Sequence, residues 1–101
     1  MAQPHQNYKI NQDFKYEGDE WWTWWIWIEA TEQDLDKIES VVYTLHSTFL
    51  KPVRRISDRK SKFKLKTEGW GTFTIYAKIY LNNDEEIPLK HDLQLSYPGS
   101  V

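Results

Sequence analysis

Apolar residues recur at every second position over most of this chain, the period of a half-buried β-strand. Tyr8, Ile10, Phe14 and Tyr16 all fall at even positions and predict a strand over 8–16, with Gly18-Asp19-Glu20 as the turn after it. From Trp21 to Ala30 runs a segment of tryptophan, threonine and isoleucine, residues that suit a pleated strand. Its even face carries Trp22, Trp24, Ile26 and Ile28; its odd face carries Trp21, Thr23, Trp25 and Trp27. Both faces are apolar, so both are expected to be covered. The polar stretch Thr31 to Lys37 is a connection with room for one helical turn capped by Thr31.

Alternation resumes from Ile38 to Leu45, with Val41, Tyr43 and Leu45 on one side. The segment His46 to Pro52 breaks it, because Pro52 has no backbone N–H for a central strand. Val53 to Ile56 reads as a short strand, followed by a charged loop from Ser57 to Ser61. Phe63 and Leu65 alternate with Lys62, Lys64 and Lys66, which predicts a strand with one wet face. Glu68-Gly69-Trp70-Gly71 is a turn, its glycines expected to take backbone angles that other residues resist. Phe73 to Leu81 and Ile87 to Leu95 are the last alternating strands, separated by Asn82 to Glu85. About seven strands with closely spaced turns and no helical period predict an all-β sandwich. A single domain over 1–101 is expected, with its core at about 8–95 and frayed tails at 1–6 and 97–101.

Composition narrows the class of protein. A chain of 101 residues can build one compact core. Thirteen basic against fifteen acidic residues give a formal charge of −2, which argues against coating nucleic acid through bulk charge. Without cysteine there is no disulfide framework, thiolate zinc site or cysteine nucleophile. No apolar run approaches the length of a membrane-spanning helix, and Met1 to Gln6 does not read as the start of a signal peptide. An intracellular domain, cytoplasmic if prokaryotic, is the expectation. The six tryptophans, five of them between positions 21 and 27, exceed what a small core requires.

Catalytic chemistry is not legible. His5, His46 and His91 lie far apart with no metal-ligand spacing, no nucleophile elbow surrounds a serine, and Gly69-Trp70-Gly71 is followed by neither the lysine nor the helix of a phosphate loop. His91 falls on the apolar face of the last strand and reads as a satisfied core or rim histidine. The expectation is a non-enzymatic binding module without metal or cofactor.

Two segments carry the positive signal. Leu45-His46-Ser47-Thr48-Phe49 with Pro52 behind it, and Gly69-Trp70-Gly71-Thr72-Phe73, each follow an alternating strand and present an aromatic beside small or hydroxylated residues. Together with Val41 to Thr44 before the first segment and Leu89 to Leu95 near the end, they resemble the YEATS domain. The likeness runs in order over roughly Trp24 to Leu95. It implies an immunoglobulin-like β-sandwich of seven to eight antiparallel strands, with loops at one end forming a pocket for acylated lysine. The resemblance assigns Phe49 and Trp70 as the aromatics that sandwich the acyl-amide, Thr48 as the hydroxyl that bonds it, and His46 as the residue that orients that hydroxyl. Gly69 and Gly71 let the backbone approach the ligand, and a backbone N–H of the Trp70-Gly71 turn donates to the acyl carbonyl. A planar amide without charge suits such a slot, and an open-ended one accommodates acetyl or crotonyl groups. The plain alternative is that Phe49 and Trp70 plug one end of the sandwich while Thr48 and His46 cap loop backbone.

Eukaryotic members of the family place a histidine before the tryptophan of the second strand. Here that stretch is Asp19-Glu20-Trp21-Trp22-Thr23, and no pocket residue is assigned to it. The added tryptophans further resemble divergent prokaryotic YEATS-like domains. That leaves open an interaction or signalling-adaptor domain without an acyl-lysine ligand. Trp25, Trp27, Tyr76 and Tyr80 are expected to face outward as a patch for a protein partner or self-association, unless the N-terminal strand or lysine and arginine stems cover it. A third reading is nucleic-acid binding through the eight basic residues between Lys51 and Lys66. The plainer reading of that stretch, a solvated strand face and a charged loop, is favoured.

Overall fold

A computed structural model describes residues 7–98. Seven strands form two antiparallel sheets. The first holds β1 (Lys9–Gly18), β2 (Trp21–Glu29) and β5 (Leu65–Gly69) in the order β1-β2-β5. The second holds β3 (Ile38–Thr44), β4 (Val53–Ile56), β6 (Thr74–Leu81) and β7 (Glu86–Asp92) in the order β4-β3-β6-β7. The expected all-β sandwich is therefore present. The polar connection holds one short helix, α1 (Glu32–Asp36), and Thr31 caps it by accepting the Asp34 N–H at 3.1 Å.

The alternation fixes which residues meet between the sheets. Trp24, Ile26 and Ile28 from β2 pack with Val41 and Tyr43 from β3 and Ile75 and Ile79 from β6, all of them fully buried. The odd face of β2 is only half covered: Thr23, Trp25 and Trp27 are half-buried and Trp21 is exposed. That corrects the expectation of two covered faces. Among the described residues no third sheet lies over this side, and the side chains of Lys64 and Lys66 provide part of its cover.

Two further expectations change. β5 begins at Leu65, because Lys62 and Phe63 take left-handed backbone angles (φ 61° and 59°) that end any strand there. Phe63 still reaches the core, fully buried, but from a turn. Gly69 and Gly71 do not use positive φ; among glycines of the described residues that conformation falls at Gly18 (φ 100°), beside Asp19 and Glu20 in the β1–β2 turn. The backbone there is held by Glu20 N–H donating to the Tyr16 hydroxyl at 3.0 Å.

Ser96 and Tyr97, at the start of the C-terminal segment, both contact the first sheet. Trp22 Nε1 donates to the Ser96 carbonyl at 2.9 Å, and the Tyr97 ring packs against Trp22 and Tyr16. Segments 1–6 and 99–101, where tails were also expected, lie outside the described residues.

Candidate functional site

Two loops meet at one end of the sandwich. The first leaves β3 at Leu45, whose N–H donates to the Pro52 carbonyl at 2.7 Å, so that residues 46–51 project as a closed loop. Within it, Phe49 N–H donates to the His46 carbonyl at 3.0 Å, a tight turn that brings His46, Thr48 and Phe49 together. His46 Nδ1 accepts the Thr48 backbone N–H at 3.2 Å and lies 2.9 Å from Thr48 Oγ1. His46 Nδ1 thus faces both polar groups of Thr48 and holds the hydroxyl in place at the cleft.

The second loop joins β5 to β6. Phe73 is anchored by its carbonyl, which accepts the Leu93 N–H at 3.0 Å, and its ring meets Phe49 at 5.4 Å and Trp24 at 5.8 Å. Phe49 also sits edge-on to Trp24 at 6.2 Å. These three rings form an aromatic floor whose outer members are half-buried. Trp70 behaves differently: it is 73% exposed, a large apolar surface left in water.

Between the loops lies a cleft of about 400 Å³. His46, Thr48, Phe49, Gly69, Trp70 and Gly71, the six residues singled out from the sequence, all line it. Five more lining residues escaped that reading: Trp21, Leu50, Glu68, Thr72 and Phe73. Phe73 had a signal, since it closes the Gly-Trp-Gly-Thr-Phe segment, but alternation assigned it to a strand. Trp21 occupies the first-loop position to which no pocket residue was assigned. It also shares a shallower adjoining cleft with Asp19, Glu20 and Trp70. The charged side chains lining either cleft are all acidic.

The four outward aromatics do not form one patch. Trp25 and Trp27 stand on the outer face of the β1-β2-β5 sheet, whereas Tyr76 and Tyr80 stand on the outer face of the other sheet. Lys64 and Lys66 hold their ammonium groups 5.6 and 5.5 Å from the Trp25 ring centre, a pair of cation–π contacts. The Arg55 guanidinium lies 5.3 Å from the Tyr80 ring centre and donates to Ser40 Oγ. Arg59 pairs with Glu32 and Asp36 on α1, at 2.7 and 2.9 Å. Four of the eight basic residues between 51 and 66, Arg55, Arg59, Lys64 and Lys66, are thus divided between two opposite faces and an ion-pair cluster rather than aligned along one groove.

Among the described residues, no group of three or more histidine or acidic side chains is placed to hold a metal ion, and no helix is long and apolar enough to cross a membrane.

Comparison with known proteins places these features in context. A family model described as the prokaryotic YEATS domain matches residues 22–94. A protein AF-9 homolog from Candida glabrata is 38% identical over 77 residues, covering 71% of this chain and 34% of that protein. The chain spans about a third of the length, or less, of the curated relatives it matches. Two solved structures are similar in fold. The Yaf9 YEATS domain bound to H3K27ac shows a TM-score of 0.69 at 26% identity, covering 89% of this chain and 70% of that one. The Yaf9 YEATS domain recognizing an H3K122suc peptide shows a TM-score of 0.65 at 28% identity, covering 87% and 68%.

Proposed function

The chain belongs to the prokaryotic YEATS domain family, and on that premise we propose that it is a non-enzymatic reader that holds an acylated lysine of acetyl or crotonyl type in the cleft between Phe49 and Trp70. One observation carries this reading: the six residues assigned from the family's motif, taken from two segments about twenty positions apart, line a single cleft. Homologous YEATS domains bound to H3K27ac and recognizing H3K122suc support a peptide ligand.

In this reading the acyl-amide stacks against Phe49 and Trp70, whose apolar faces match a planar uncharged group. Thr48 Oγ1, held in place by His46, accepts the amide N–H. A backbone N–H of the Trp70-Gly71 turn donates to the acyl carbonyl. An unmodified ammonium has no acceptor for the donated backbone N–H and would give up more hydration than the neutral amide on entering. Glu68, Asp19 and Glu20 at the mouth favour neutral or basic neighbours of the modified lysine over acidic ones.

The test is a titration of fluorescently labelled acetyl-, crotonyl- and unmodified-lysine peptides by anisotropy, repeated with Trp70→Ala and Phe49→Ala. Saturable binding of acylated peptides alone, weakened about tenfold or more in both variants, is expected from the loss of one stacking wall. Absence of acyl preference in folded protein would overturn the reader function and favour an adaptor domain that meets its partner without acyl-lysine.

A further inference from the structure

The chain's own cations cover two of its outward aromatic rings. Lys64 and Lys66 stand over Trp25, and Arg55 stands over Tyr80. Two indoles near the loop end are left bare. Trp21 is 38% exposed and Trp70 73%, and among the described residues no lysine or arginine lies over either ring. An indole face attracts a cation more strongly than any other side-chain ring, through the negative pole of its quadrupole. Left in water, the two rings are apolar surface that gains from being covered.

Both bare rings line the adjoining cleft together with Asp19 and Glu20. These two acidic residues are the central pair of the β1–β2 turn, both with left-handed backbone (φ 54° and 58°), so the hairpin itself sets their place. Glu20 is held further: its N–H donates to the Tyr16 hydroxyl at 3.0 Å, and its Oε1 accepts from the Tyr97 hydroxyl at 3.1 Å. Among the described residues neither carboxylate pairs with a cation. Two indoles and two unpaired carboxylates around a recess of about 410 Å³ attract a cation and repel an anion. Trp21 and Trp70 line the first cleft as well, so the two recesses are continuous along these rings.

Resting on the acyl-lysine reading, we infer that the adjoining cleft is a second subsite, which takes the side-chain cation of a residue flanking the acylated lysine, arginine before lysine. A guanidinium is planar and weakly hydrated, so it stacks on an indole face and still turns its N–H groups toward Asp19 or Glu20. An ammonium makes the same attractions but gives up more water for them. The first cleft then reads the loss of charge on one lysine, and the second reads a charge kept beside it. Occupied in this way, Trp21 and Trp70 gain from the partner the cover that Trp25 and Tyr80 receive from the chain itself.

The experiment titrates the full chain with acetyl-lysine peptides of one otherwise neutral sequence. Arginine, lysine, glutamine, leucine and glutamate are placed in turn at each of the two positions on either side of the modified residue. At one of these positions arginine is expected to bind about fivefold tighter than glutamine, with lysine between them and glutamate weakest. Added salt is expected to shrink that preference. The double variant Asp19→Asn, Glu20→Gln keeps side-chain size, and asparagine tolerates the left-handed backbone at its position. It is expected to bring the arginine and glutamine peptides within about twofold of each other. The ratio is the readout, because a general loss of binding leaves it unmoved. Equal affinities for arginine and glutamine at every position, with acetyl-lysine still bound, would overturn the inference and leave the reader function standing. So would an arginine preference undiminished in the double variant, which would put the cation elsewhere, or a preference for leucine, which would make the rings an apolar subsite. If no acylated peptide binds, the reader function falls and this inference with it.

Discussion

Trp70 lines the cleft while 73% exposed, and Phe49 lines it with its ring packed on Trp24 and Phe73. Truncating the two should therefore separate binding from stability. Trp70→Ala removes little buried surface and is expected to shift unfolding free energy by less than about 0.5 kcal/mol. Phe49→Ala opens a gap in the aromatic floor and is expected to cost about 1–2 kcal/mol, below the figure for a fully buried phenylalanine. Urea denaturation of both variants beside peptide binding checks this. A Trp70→Ala variant as unstable as Phe49→Ala would mark Trp70 as a structural prop. The loop residues of the site were legible in the sequence because aromatic, hydroxyl and glycine residues clustered where alternation stopped. Trp21 was not, since it sits among five tryptophans in one strand. Period two tells which face a residue takes but not which end of the strand lies under a loop. Gly69 and Gly71 line the cleft, but neither takes the positive φ expected of it, and a Cβ at Gly69 would meet Phe49 and Trp24 only at ordinary contact distances.

The segment before β5 shows how an element can defeat alternation. Lys62 and Phe63 both adopt left-handed backbone, costly for residues with a Cβ and unmarked by glycine or asparagine. The turn persists because its polar groups are satisfied by the strands around it. Ile28 N–H donates to the Lys62 carbonyl at 2.9 Å, Phe63 N–H to the Asp58 carbonyl at 2.9 Å, and the Tyr43 hydroxyl to the Phe63 carbonyl at 2.7 Å. Tyr43 is fully buried, and burial raises its phenol pKa, so the hydroxyl stays protonated and donates. Tyr43→Phe is expected to destabilise the protein by about 1–2 kcal/mol, because a buried carbonyl loses its donor while the ring volume is kept. The urea midpoint reads the effect, and hydrogen exchange should show it concentrated in Phe63 and β5. An unchanged midpoint would mean that the turn is held by the Phe63 side chain alone. None of these bonds joins neighbours in sequence, which is why the pattern alone placed Phe63 in a strand.

Across the whole molecule, the two sheets are clasped at their edges by Gln12. Its Oε1 accepts from His91 Nε2 at 2.6 Å and from the Gln94 N–H at 2.8 Å, while its Nε2 donates to the Gln94 carbonyl at 2.7 Å. β1 of one sheet is thereby tied to the end of β7 in the other, a contact between residues about eighty positions apart. Expecting His91 to be a satisfied rim histidine was correct, but nothing local to it names Gln12 as the partner. Burial lowers the His91 pKa below the usual histidine value, and the nearby Asp92 opposes that only in part. The folded protein therefore binds fewer protons at this site than the unfolded chain. Stability from His91 is full above the ordinary histidine value of about 6.5 and is lost as pH falls through the range below it. Urea midpoints measured from pH 7.5 down to pH 5.5 are expected to decline in the wild type and to decline less in His91→Gln, which has no titrating ring. Parallel pH profiles would show that the ring gives up its proton as easily in the unfolded chain as in the fold. Burial at the sheet edge would then have no energetic consequence, and the clasp would act through Gln12 and the Gln94 backbone alone.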